Sequence, residues 1–149
     1  MTMRTIRIGF ALCLAVALGG CATIKGEASR APTPVSSATV PAAIANVTLV
    51  ISNQSFLEPN VRIDVRIDGE PVVDGAFPVE GQHSFFSYPL KIRPGRHELT
   101  ARTTSGVRTA EAFDVPEAGS RYGVLNYWNY EGEPKRFTWT FQAEPPAFG

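Results

Sequence analysis

The chain has 149 residues with 14 basic and 14 acidic side chains, so its formal net charge at pH 7 is zero. This balance excludes the basic excess expected of a nucleic-acid-binding domain. The length accommodates one domain of roughly 100 residues with its own hydrophobic core, preceded by a separate N-terminal segment.

Residues 1–20 have the pattern of a secretory signal peptide. Arg4 and Arg7 form a basic n-region, and residues 8–18 (IGFALCLAVAL) form an uncharged, mostly apolar h-region. This h-region is shorter than the roughly 20 residues that a helix needs to cross a bilayer, which disfavours a permanent span. The uncharged run does extend to Ile24, so a retained N-terminal anchor is the alternative.

The four residues Leu18-Gly19-Gly20-Cys21 follow directly on the h-region. They resemble the lipobox of bacterial lipoproteins, in which an aliphatic and two small residues precede the acceptor cysteine. The resemblance implies that signal peptidase II cleaves before Cys21 and that Cys21 carries two or three acyl chains, which anchor a protein stably where one chain holds only marginally. By the enterobacterial sorting pattern, Ala22 after the cysteine favours the outer membrane.

The alternative for Cys21 is an ordinary free or buried thiol. The other cysteine, Cys13, lies in the h-region and would leave with the signal, so the mature chain could form no internal disulfide. We therefore interpret the protein as lipid-anchored in the bacterial cell envelope, with its domain in the periplasm or at the cell surface.

Residues 21–44 are interpreted as a disordered tether. The segment is rich in Ala, Ser, Thr and Pro and shows no apolar periodicity. A flexible chain of about 22 residues has a root-mean-square span on the order of 25 Å and reaches about 70 Å when stretched. We interpret it as a spacer without a binding role of its own.

Residues 45–149 show the short, alternating apolar segments of β-strands and no helical period. The cleanest is 61–68, which alternates four apolar with four charged residues before an Asp68-Gly69 turn. Pro78 predicts that the return segment is an edge strand or that the strand ends there, and an irregularity is predicted near Gly75. The predicted strands lie within 47–51, 61–68, 72–79, 83–92, 97–103, 107–115, 121–130 and 137–141. This pattern predicts an all-β, antiparallel two-sheet sandwich of about seven or eight strands, immunoglobulin-like or transthyretin-like.

A stretch in the middle of the domain carries a second resemblance. Ile67-Asp68-Gly69, Leu90 ahead of Pro94-Gly95, and His97-Glu98-Leu99 resemble the small sandwich modules of the PEGA and carboxypeptidase-regulatory-like kind. Those modules are non-enzymatic, so the resemblance implies a non-catalytic domain.

The mature chain offers few groups for catalysis or for metal binding. It has no G-x-S-x-G elbow, and its only imidazoles, His83 and His97, bracket one strand and one turn, which places them at opposite ends of a hairpin. His97 lies on the side of Leu99 and is predicted to be a hydrogen-bonded core or rim residue. The remaining candidates are carboxylates beside turns: Asp64, Asp68, Asp74, Glu131 and Glu133. We expect no catalytic residue, no metal and no cofactor.

Aromatic residues near the C-terminus are the main candidates for a ligand or partner surface. The cluster comprises Tyr122, Tyr127, Trp128, Tyr130 and Trp139, and the candidate surface is Tyr127, Trp128, Tyr130 and Trp139. Such residues fill the core of a sandwich, form a protein interface, or stack on sugar rings. The leading hypothesis is a non-enzymatic lipoprotein whose domain is an interaction or accessory module for another envelope component, with an envelope protein as the expected partner. The alternative is a carbohydrate- or peptidoglycan-binding module that uses Trp128, Tyr130 and Trp139.

Overall fold

The computed structural model describes residues 39–79 and 85–147. The predicted signal peptide, Cys21, Ala22, most of the tether and His83 lie outside the described residues. A short 3-10 turn, Ala42–Ile44, precedes eight strands. They are β1 (Val47–Asn53), β2 (Asn60–Ile67), β3 (Glu70–Pro78), β4 (Phe85–Leu90), β5 (Gly95–Thr103), β6 (Arg108–Val115), β7 (Arg121–Trp128) and β8 (Arg136–Gln142).

The strands form two four-stranded sheets, ordered β4-β1-β7-β8 and β3-β2-β5-β6. The predicted all-β, two-sheet sandwich is therefore confirmed. One feature differs from the predicted antiparallel pattern, because β1 and β7 pair in parallel, with Val47 beside Arg121 and Asn53 beside Tyr127. Every other pair of neighbouring strands is antiparallel.

The core lies between the two sheets and consists of alternate residues of each strand. In β2 the four apolar residues are buried, and the residues between them are exposed or partly exposed. The same alternation buries Leu125 and Tyr127 completely in β7. Phe137, Trp139 and Phe141 of β8 are partly buried and pack against this core, which confirms that these three aromatics share one face.

The β2–β3 hairpin turns at Asp68 and Gly69, whose φ angles are 52° and 81°. Two consecutive positive φ angles are typical of the tight hairpin turn that an Asp-Gly pair favours, as predicted. β3 is an edge strand, also as predicted.

The irregularity in this hairpin is not where the sequence predicted it. Gly75 pairs regularly with Ile63, so the predicted position is wrong. The register shifts instead at Val72, because Val65 pairs with Val73 while the next residue pairs with Pro71. The extra residue of this bulge lets two successive side chains, Val72 and Val73, both lie in the buried core.

The described end of the predicted tether lies against the domain. Thr39 forms an isolated antiparallel bridge with Leu90, and the Val40 amide donates to the Pro89 carbonyl over 3.0 Å. The chain therefore reaches the sandwich along the free edge of β4, on the side away from β1. No helix in the described part of the chain is long and apolar enough to cross a membrane.

Candidate partner-binding surface

The structure separates the four aromatic residues that the sequence singled out. Tyr127 is completely buried in the core. Trp139 packs on the inner side of β8, with its ring centroid 5.7 Å from that of Phe113. Only Trp128 and Tyr130 lie together at the surface, where they are partly exposed and their ring centroids are 5.6 Å apart.

The alternation of β7 explains this separation. Tyr127 belongs to the odd-numbered set that faces the core, whereas Trp128 points to the outer face of the sheet. There the Trp128 indole N–H donates to Thr138 Oγ1 on β8 over 2.8 Å, which fixes the orientation of the ring.

The loop between β1 and β2 adds two residues to this surface. Phe56 is 69% exposed and Leu57 is 56% exposed, and the Phe56 ring lies 5.1 Å from the Tyr130 ring. We call Phe56, Leu57, Trp128 and Tyr130 the apical patch. The strand pattern of the sequence did not single out this loop, although two adjacent large apolar residues between Ser55 and Glu58 are a usable signal.

The loop that carries Phe56 and Leu57 is held by its own polar groups. Asn53 Nδ2 donates to the carbonyls of Glu58 and Phe77, each over 3.0 Å. Ser55 Oγ accepts from the amides of Leu57 and Glu58 over 3.1 and 2.7 Å. Asn and Ser favour such turns because their short side chains reach nearby backbone groups. The two apolar side chains are thus presented on an ordered backbone.

A single carboxylate joins this loop to the end of β7. Glu58 Oε2 accepts hydrogen bonds from Tyr127 Oη, Asn129 Nδ2 and Lys135 Nζ at 2.7, 3.3 and 3.0 Å. Burial raises the pKa of Glu58, but the hydrogen bonds from Tyr127 and Lys135 outweigh it and hold the pKa below its usual value. Burial, together with the Glu58 charge, raises the pKa of Tyr127 to about 12.

His97 occupies a structural position at the other end of the domain. Its Nδ1 lies 2.6 Å from Asp68 Oδ2, and its Nε2 lies 2.8 Å from the Arg93 carbonyl oxygen. Each ring nitrogen therefore has an oxygen within hydrogen-bond distance. His97 is 9% exposed, and its ring packs on Phe113, which confirms the prediction of a hydrogen-bonded core or rim residue.

Two carboxylates on the outer face of the β3-β2-β5-β6 sheet, Asp64 and Asp74, are paired with guanidinium groups. Arg62 contacts Asp74 at 2.6 Å, and Asp64 lies 3.0 Å from Arg66 and 3.6 Å from Arg102. A shallow cavity of about 300 Å³ lies above them. Glu133 of the β7–β8 loop pairs with Arg136. Residues 39–79 and 85–147 contain no group of three His, Cys, Asp or Glu side chains placed to hold a metal ion.

Comparisons with protein-family models, curated proteins and solved structures find no match to this chain.

Proposed function

We propose that this protein is a non-catalytic lipoprotein of the bacterial cell envelope, and that its sandwich domain binds another envelope protein through the apical patch. The observation that carries the proposal is the exposure of Phe56 and Leu57 on an ordered loop beside two further aromatic rings. Complete burial of such a side chain contributes about 1.5–3 kcal/mol, so a partner that covers Phe56 and Leu57 would gain binding free energy from them.

The composition of the patch is that of a protein interface. Aromatic residues are enriched at the centres of such interfaces and supply many of their energetic hot spots. The hydrogen bonds of Asn53 and Ser55 already order the loop. Binding then costs less conformational entropy than it would for a mobile loop.

The apical patch and the tether lie at opposite ends of β1. The strand begins at Val47, close to the end where Thr39 meets Leu90, and it ends at Asn53, beside the loop of the patch. Seven residues of strand separate the two ends by roughly 23 Å. A partner bound at the patch therefore lies away from the described end of the tether.

Lipid anchoring is tested by mass spectrometry of the N-terminal peptide from membrane-purified protein. The proposal expects a mature chain that begins at Cys21 with two or three acyl chains, and it expects Cys21→Ser to abolish both acylation and cleavage. An unmodified Cys21 in the membrane-purified protein would contradict it.

Partner binding is tested by crosslinking in intact cells. The variant carries Phe56→Ser and Leu57→Ser, and its matched control is Ile44→Ser, because Ile44 is also 56% exposed but lies at the tether end. We expect the yield of protein adducts to fall about tenfold in the patch variant and to persist in the control. Equal yields in both variants, or no adducts above those of an unrelated lipoprotein, would count against the proposal.

The alternative, a carbohydrate-binding module, is supported by the row of rings formed by Phe56, Tyr130 and Trp128. Such a row offers flat faces for sugar rings. Cosedimentation with purified peptidoglycan distinguishes the two functions. Binding that is lost in Trp128→Ala and Tyr130→Ala would favour the glycan, whereas the protein-partner proposal expects no cosedimentation.

A further inference from the structure

The four edge strands of the sandwich differ in how they are protected from pairing with other chains. Natural sheets protect their edges with Pro, charged residues, bulges or covering segments. In the described residues, β3 has prolines and a bulge, β4 has Pro89 and is bridged by Thr39, and β6 has charges at intervals along its length. In β8 the five residues 137–141 (FTWTF) are uncharged, contain no Pro and pair in regular register with β7.

This segment reads the same in both directions around Trp139. An antiparallel pair of two β8 strands centred on Trp139 places Phe137 opposite Phe141 of the second copy, and Thr138 opposite Thr140. Aromatic pairs and Thr pairs are favourable across antiparallel strands. At each end of this pair Arg136 of one copy faces the uncharged Gln142 of the other, so no like charges oppose each other.

We propose that β8 is a dimerisation strand that pairs with β8 of a second copy of this chain. The product is one continuous eight-stranded sheet with a two-fold axis at Trp139. The partly buried aromatics on the inner side of β8 extend this argument, because a second strand would cover their remaining exposed edges.

The pairing produces a closed dimer, and both of its chains can be anchored by their N-terminal tethers. It uses β8 of both chains, and the other described edges carry the protective features given above. Antiparallel strands place the two tether ends on opposite ends of the dimer. Because Thr39 is bridged to Leu90, the free part of the predicted tether is residues 21–38, which reach about 55 Å when stretched, enough to span such a domain. The inference is independent of the apical patch and of the proposed partner.

The test uses the full chain with two different affinity tags, co-expressed and purified in detergent. Thr138 and Thr140 are both exposed on the outer face of β8, so changing them leaves the core intact, although each variant at Thr138 also replaces the acceptor of the Trp128 indole N–H. Thr138→Lys with Thr140→Lys brings like charges together across the pair, whereas Thr138→Asp with Thr140→Lys brings opposite charges together. The control is Ala110→Lys with Ala112→Lys, at outer positions of edge strand β6.

We expect wild type, the Asp/Lys variant and the β6 control each to co-purify with the differently tagged copy. For the Lys/Lys variant we expect the co-purified yield to fall about tenfold or more. Thermal denaturation of each variant checks that it is folded. Co-purification of the folded Lys/Lys variant at the wild-type level would overturn the proposal. So would a wild-type level no higher than that of an unrelated lipoprotein in the same detergent. The Phe56→Ser, Leu57→Ser variant retains the dimer if the two surfaces are independent.

Discussion

The indole of Trp139 lies so close to the backbone of Gly123 that no side chain fits at Gly123. A Cβ placed there would overlap Cη2 of the indole and lie 3.0 Å from Cζ3. Gly123 pairs with Phe141 on β8, and Trp139 is the diagonal neighbour on the same inner face. The absence of a side chain at this position lets a large ring lie over β7 and close the edge of the core.

Gly123→Ala is therefore expected to destabilise the domain by about 1–3 kcal/mol, because the indole must move within a packed cluster. Urea denaturation followed by circular dichroism measures the change. Elsewhere in a strand the same substitution favours folding, since alanine restricts the unfolded chain more than glycine does.

The cause is tested by a double-mutant cycle with Trp139→Val, which removes the ring that clashes. In that background the cost of Gly123→Ala should fall to near zero or change sign. An unchanged cost would show that the indole is not responsible.

Replacement of Glu58 by Gln should cost about 1–2 kcal/mol at pH 7, because the carboxylate accepts three hydrogen bonds, one of them from a charged Lys135. The folded-state pKa of Glu58 is lowered. Its stabilising contribution is therefore present at pH values above the unfolded pKa of about 4.3 and is lost as the pH falls through the lower folded pKa.

The measurement is the free energy of unfolding of wild type and Glu58→Gln at pH 7 and at pH 3. The difference between the two proteins should shrink at the lower pH. A difference that stays constant between these pH values would contradict the assignment.

Asp68 combines a left-handed backbone conformation with two side-chain hydrogen bonds. Substitution by Ala and by Asn separates these two contributions to stability. Its φ is 52°, and its carboxylate contacts His97 and the amide of Glu98. Asp68→Ala should cost about 1–2 kcal/mol, whereas Asp68→Asn should cost less, because Asn tolerates this backbone and retains an acceptor for the amide. Equal costs in denaturation experiments would show that the bond to the Glu98 amide and the backbone preference contribute little.

The hydrogen bond from His97 is the main cause that lowers the pKa of Asp68, followed by the bond from the Glu98 amide. The contribution of this carboxylate to stability is thus present above its unfolded pKa of about 3.9 and is lost on acidification below it. Asp68→Asn should lack this part of the acid dependence in a pH titration of the melting temperature.

The apical patch should be dispensable for folding. Phe56→Ser with Leu57→Ser should change the free energy of unfolding by no more than about 0.5 kcal/mol, because both side chains are largely exposed already. A larger loss in urea denaturation would mean that the patch stabilises the monomer and would weaken its assignment as a binding surface.

The strands and the buried faces were predictable, because alternation along a strand records which side faces the core. Val61 to Ile67 and Phe137 to Phe141 show it most clearly, and both segments are strands with the predicted inner faces. The candidate surface was predictable only in part. Trp128 and Trp139 both stand among aromatic and uncharged polar residues in the sequence, and their opposite sides of the sheet separate a partly exposed ring from one packed on the core.

The sequence by itself determined the strand pattern, the Asp68-Gly69 turn and the self-complementary order of residues 137–141, since all three depend on neighbours along the chain. Only the tertiary structure decided that β1 pairs in parallel with β7, and that pairing brings Phe56 beside Tyr130. Nearby, Ser55 Oγ donates to the carbonyl of Asn129, 74 positions away. The reason is physical: an alternating strand specifies the face that it buries, whereas its neighbour is selected by the packing of the whole domain.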